Sequence, residues 1–119
     1  MWAEIIVGTK NDLPNDLSDK FKDKICQQNH QNVLNETIHK DSKFLINSIV
    51  CAFRDSNIVY FILQADANTL TIHLERRNKN SPVRELKESI KEVMVRIESF
   101  LKHIKNPIKR LGGDVYVGT

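Results

Sequence analysis

The chain has 119 residues, a net charge of +3, 40% apolar residues and 28% charged residues. That composition excludes wholesale disorder, and the length suits one domain of α+β type spanning 1–119 rather than two. The small excess of base excludes a dedicated polyanion binder unless the cations gather on one face.

The two cysteines, Cys26 and Cys51, are too few for a disulfide framework. Met1-Trp2-Ala3-Glu4 carries no basic stretch before an apolar run. Together these predict a reduced, cytoplasmic protein. The apolar runs fall far short of the roughly 20 residues that span a bilayer, so no membrane partner is expected.

Trp2 to Val7 is rich in large and β-branched residues and then meets Gly8, Asn11 and Pro14, which reads as a strand and a turn. Asp12 to Gln28 reads as a helix. Leu13, Leu17, Phe21 and Ile25 recur every four residues, and Pro14 suits a first turn. Gln27 to Glu36 is polar and reads as a loop, with room for a short edge strand at 33–38. Phe44 to Phe53 is almost continuously apolar and is read as a strand, because Arg54-Asp55-Ser56-Asn57 follows it as a hairpin signal.

Ile58 to Leu63 is a strand without rival, and Ala65 to Asn68 the next turn. Thr69 to Arg76 alternates. Leu70, Ile72 and Leu74 form an apolar face, while Thr71, His73 and Glu75 are assigned to water. Ser81 and Pro82 open a long helix that Asn106-Pro107 stops near Lys105. Asp114 to Val117 reads as a last strand. Its Val115-Tyr116-Val117-Gly118-Thr119 echoes Ile5-Ile6-Val7-Gly8-Thr9, so the two strands are expected to pair.

This order resembles a ferredoxin-like split βαβ arrangement, or a meander backed by helices as in profilin- or longin-like adaptor domains. Either way it is a small, single-layer, antiparallel-rich sheet with two main helices.

Two surfaces suggest partners. On the long helix Val83, Leu86, Ile90, Val93, Ile97, Phe100 and Ile104 are spaced alternately by three and four residues, a heptad stripe. Met94 and Leu101 widen it, and Val95 is apolar on the far side. Such a stripe packs on the protein's own sheet, and it can also meet a partner helix. Ile90, Met94, Val95, Ile97 and Leu101 are the expected partner contacts. The second surface is the sheet. Ile58 to Leu63 is apolar on both faces, and two helices cover only one, so a homo-oligomer or complex is expected.

No catalytic, metal or cofactor signature stands. Cys26 and His30 are half a metal site or half a nucleophile–base pair, with no further ligand at matching spacing. Gly8-Thr9-Lys10-Asn11-Asp12 after a β-rich run resembles the guanine-reading motif of small GTPases over about ten residues. The chain has no Gly-x4-Gly-Lys-Ser/Thr phosphate loop, so the resemblance is set aside. Leu111-Gly112-Gly113 resembles the end of ubiquitin-like modifiers, but strand-like residues follow and a turn is the plainer reading.

Basic residues cluster on both sides of the long helix: Arg76, Arg77 and Lys79 before it, and Lys105, Lys109 and Arg110 after it. If they converged they could bind the phosphates of RNA or DNA. No aromatic residues interleave with them, which disfavours base stacking. The leading expectation is a non-enzymatic interaction protein (adaptor, inhibitor or complex subunit) that self-associates and needs no cofactor. A nucleic-acid-binding module is the alternative.

Overall fold

The structure is a computed structural model, and it describes residues 2–24, 31–32, 48–55, 58–76, 83–112 and 115–117. The elements in chain order are β1 (Trp2–Thr9), α1 (Leu17–Lys24), β2 (Gln31–Asn32), β3 (Ile49–Asp55), β4 (Ile58–Asp66), β5 (Thr69–Arg76), α2 (Val83–His103), β6 (Ile108–Leu111) and β7 (Val115–Val117).

All strands join one sheet in the order β2-β3-β4-β5-β1-β6, with β7 also on β1, and every pairing is antiparallel. β3, β4 and β5 form the expected meander. The first strand then lies beside β5, with Ile5 opposite Ile72. The order is not a simple split βαβ: β1 and the strands that follow α1, β2 and β3, have β4 and β5 between them in the sheet.

The expected pairing of the terminal strands holds, with Trp2 opposite Val117 and Glu4 opposite Val115. The sequence reading missed β6, which precedes β7 along the same edge of β1. Thr9 faces Ile108, Val7 faces Leu111 and Glu4 faces Val115. From Thr9/Ile108 to Val7/Leu111 the edge strand advances one residue more than β1, at the irregularity between Gly8 and Thr9. Next to Leu111, Gly112 donates its N–H to the Ile6 carbonyl at 2.7 Å. A Cβ on Gly112 would lie 3.2 Å from that of Ile6, so a residue without a side chain suits the close approach.

The main core lies between one sheet face and the helices. It joins Ala3, Ile5 and Val7 of β1 to Leu70, Ile72 and Leu74 of β5, and to Leu86, Ile90, Val93, Ile97, Phe100 and Leu101 of α2. α1 adds Leu17 and Phe21, whose ring centroid is 4.5 Å from that of Phe100. Ser18 ties α1 to β3 through a 2.8 Å bond to the Val50 carbonyl. α1 begins at Leu17 rather than at Asp12, because Asn11, Asp12 and Leu13 have backbone bonds elsewhere. Pro14 therefore sits outside the helix, where its carbonyl accepts the Leu17 N–H.

The opposite sheet face is not bare. Ala52, Val59, Phe61 and Leu63 form a second buried cluster, with Ile49 against it. Both faces of β4 are covered within one chain, so that strand gives no reason to expect another subunit.

α2 ends in a Schellman motif. Asn106 donates to the Leu101 carbonyl and Lys105 to that of Lys102, at 2.9 and 3.0 Å. The left-handed position usually taken by glycine is held by Lys105, at φ 58°.

Candidate functional site

The heptad stripe of α2 is used inside the molecule. Ile90, Ile97 and Leu101 are core residues, and Met94 is half-buried against them. Of the five helix residues expected to meet a partner, only Val95 is open to solvent, at 68% exposed. It stands alone between charged neighbours, and a single exposed valine is ordinary.

Of the first basic cluster only Arg76 is among the described residues, and it lies far from the second. Arg76 ends β5 opposite Ile58, whereas Arg110 faces Gly8, which in turn faces Thr69 at the start of β5. Arg76 is seven residue steps along the strand from Thr69, about 23 Å at the usual rise. Arg77 and Lys79 lie outside the described residues, as do Cys26 and His30.

Lys105, Lys109 and Arg110 all lie where the chain leaves α2 for β6, Lys109 and Arg110 beside one notch and Lys105 beside another. Lys10 joins them, because its N–H donates to the Pro107 carbonyl at 3.0 Å. All four side chains are exposed. Arg110 lies across Gly8, where its Nε would be 3.7 Å from a Cβ. A notch of about 200 Å³ opens there, lined by Gly8, Thr9, Asn68, Thr69, Lys109 and Arg110. Asp66 stands beside it. The Thr69 hydroxyl, the Asn68 N–H and the charge of Arg110 hold its carboxyl below its ordinary range. Asp66 thus already offers Arg110 a counter-charge.

The run that resembles a guanine-reading motif has a structural task here. Thr9 is buried and its hydroxyl donates to the Asn11 carbonyl at 2.7 Å. Asn11 donates its N–H to Asn106 Oδ1 at 2.7 Å, and Asn106 Nδ2 returns a bond to the Asn11 carbonyl at 2.9 Å. Leu13 donates to Ala67. The segment is therefore the knot that joins β1 to the β4–β5 turn and to the end of α2.

β6 itself is the open element. Lys109, Arg110 and Leu111 are consecutive and all exposed, Leu111 by 57%. Among the described residues no strand pairs with the outer side of β6. Leu111 faces Val7 on the helix side of the sheet and Arg110 faces Gly8 on the other side. Sequence reading missed this edge because Ile108-Lys109-Arg110-Leu111 is short and charged. The available signal was its apolar ends directly after Pro107.

His73 departs most sharply from expectation. It was assigned to water and is fully buried. Its row across the sheet runs Phe61, His73, Glu4, with strands on both sides. Nδ1 is 2.9 Å from Glu4 Oε1 and Nε2 is 3.0 Å from Glu75 Oε1. The Trp2 ring stacks on the imidazole at 5.3 Å, and Phe61 approaches at 6.1 Å.

Among the described residues no three His, Cys, Asp or Glu side chains are placed to hold a metal ion. No described helix is long and apolar enough to cross a membrane. Comparisons with protein-family models, with characterised proteins and with solved structures give no match.

Proposed function

We propose that this chain is a non-enzymatic protein-interaction module that takes an extended, acidic segment of a partner protein along the open side of β6. The observation that carries the proposal is the run Lys109-Arg110-Leu111, exposed on a strand whose outer side pairs with no strand among the described residues. An added strand gains main-chain hydrogen bonds, and its alternate side chains read the two sheet faces. On one face it would meet Leu111, and on the other Arg110. Lys109 belongs to that line, and the exposed Lys105 and Lys10 lie on the segments that lead into it and pair beside it.

The same features select the partner. Cations and bulges are how edge strands resist pairing with their own kind. Two copies joined through β6 would bring Lys109 and Arg110 of each together, which disfavours self-pairing there. An acidic strand meets attraction instead. A meander flanked by β1 and backed by helices also suits the profilin- or longin-like adaptor arrangement, although fold alone assigns no function.

The test is titration with a synthetic decapeptide of alternating glutamate and leucine, followed by amide NMR shifts. Shifts centred on Lys109–Leu111, weakened at least tenfold in the variant K109E/R110E, would support the module. Equal binding by that variant, or shifts confined to α2 around Val95, would overturn it.

A second reading rests on the exposed cations Lys10, Lys105, Lys109 and Arg110 at this end of the sheet, namely a nucleic-acid phosphate backbone. A single-stranded oligonucleotide bound with a steep salt slope, in preference to the peptide, would favour it. The exposed Leu111, and the lack of an aromatic side chain among the described residues that line the notch, favour the peptide.

A further inference from the structure

We propose that Asp66 is a specificity-determining residue of the β6 surface: it admits the singly charged carboxylates of an acidic partner segment and penalises doubly charged phosphates. The inference rests on the reading of β6 as a docking edge and adds what that edge rejects.

The residues follow one row across the sheet. Arg110 of β6 faces Gly8 of β1, Gly8 faces Thr69 of β5, and Thr69 faces Asp66 of β4. Residues opposite one another in an antiparallel ladder share a face. A cation therefore closes the row at one end and a carboxylate at the other. Between them Gly8 has no side chain and Thr69 is buried, so the middle of the row is low and the notch of about 200 Å³ opens there. Among the described residues the side chains of Lys109 and Arg110 take part in no ion pair, so both cations remain available to a ligand.

Asp66 is held in place at its end of the row. Its Oδ1 accepts the Asn68 N–H at 3.0 Å, and its backbone carbonyl accepts from the Gln64 side-chain amide at 3.1 Å. Asn68 lines the notch, so the Asp66 charge lies within a Debye length of an anion bound there. Lys109 and Arg110 bring two positive charges to the notch and Asp66 offsets one of them. A carboxylate matches the single charge left over. A phosphoserine carries close to two negative charges at neutral pH. Coulomb repulsion is proportional to the ligand's charge, so Asp66 repels the phosphate about twice as strongly as the carboxylate.

The experiment is titration of the full chain at pH 7.5 with two decapeptides, the alternating glutamate–leucine one and its counterpart with every glutamate replaced by phosphoserine. Wild type is compared with D66N, which keeps an Oδ1 acceptor for Asn68, and with D66S as a second neutral variant. Removing the charge is expected to tighten the glutamate peptide about twofold and the phosphoserine peptide about fourfold. Any loosening of the fold weakens both peptides by one factor, so the ratio of the two affinities is the readout. That ratio should shift about twofold toward the phosphoserine peptide in both variants. A ratio unchanged from wild type, with the glutamate peptide still bound at β6, would overturn the role of Asp66 and leave the docking edge standing. A glutamate peptide that does not bind wild type would overturn both.

Discussion

Asn106 and Asn11 are joined by a closed, two-way bridge: the Asn106 side-chain amide accepts from the Asn11 N–H at 2.7 Å and donates to the Asn11 carbonyl at 2.9 Å. An amide side chain here does what a neighbouring strand would do. Its position is buried and at the end of α2, and it fastens the β1–α1 loop to the start of β6. Asn106→Ala removes the acceptor of the Asn11 N–H and one of the two donors to its carbonyl, the other being the Thr9 hydroxyl. The expected cost is about 1–3 kcal/mol, the usual penalty for stranding partly buried polar groups. Urea denaturation measures it, and an unchanged midpoint would show that water replaces the bridge at no cost.

Lys105 holds a left-handed backbone that costs a residue with a Cβ about 1–2 kcal/mol. Lys105→Gly is expected to raise stability by about 1 kcal/mol, and Lys105→Ala to change it little. If alanine stabilised as much as glycine, the gain would come from the removed charge and not from the backbone. A loss of peptide binding in Lys105→Gly without a loss of stability would show why a lysine is kept at a strained position.

The neighbours Val95 and Ile97 on α2 should separate cleanly. Ile97 is wholly buried and Val95 is 68% exposed. Ile97→Asp buries an unpaired charge and is expected to abolish folding, seen as loss of the cooperative thermal transition. Val95→Asp should stay within about 0.5 kcal/mol of wild type. A large loss of stability in Val95→Asp would reveal a partner surface on α2 after all.

Asp66 gives the chain a defined acid response. Thr69, the Asn68 N–H and Arg110 favour its ionised form, so its folded pKa lies below its unfolded value. Ionised Asp66 therefore adds stability above the unfolded carboxylate range, and loses it as pH falls through the depressed folded value. Asp66→Asn should be less stable than wild type at neutral pH, and the gap should close by about pH 2. A gap that persists in strong acid would assign the effect to something other than charge.

Much of the fold was legible because it rests on patterns the chain states locally. The run Ile58-Val59-Tyr60-Phe61-Ile62-Leu63 could only be a strand, and the heptad spacing from Leu86 to Ile104 could only be a helix with one buried side. What failed was non-local. His73 alternates with Ile72 and Leu74 as a solvent-facing residue would, and no periodicity reveals that Trp2 covers it. β6 was invisible because four residues with two central cations have no strand signature, and only their ladder with β1 makes them one. Lys105, Lys109 and Arg110 are close in sequence and so close in space, whereas the distance of Arg76 from them is set by the length of β5, which no local pattern states.

The most direct measurement is amide hydrogen exchange at Lys109, Arg110 and Leu111, with and without the acidic decapeptide. Strand addition to β6 requires that outward-facing amides of this segment exchange at least tenfold more slowly when the peptide is bound, and that K109E/R110E abolish the slowing. Unchanged exchange at these three residues under saturating peptide would contradict it, and binding would then have to be sought elsewhere on the molecule.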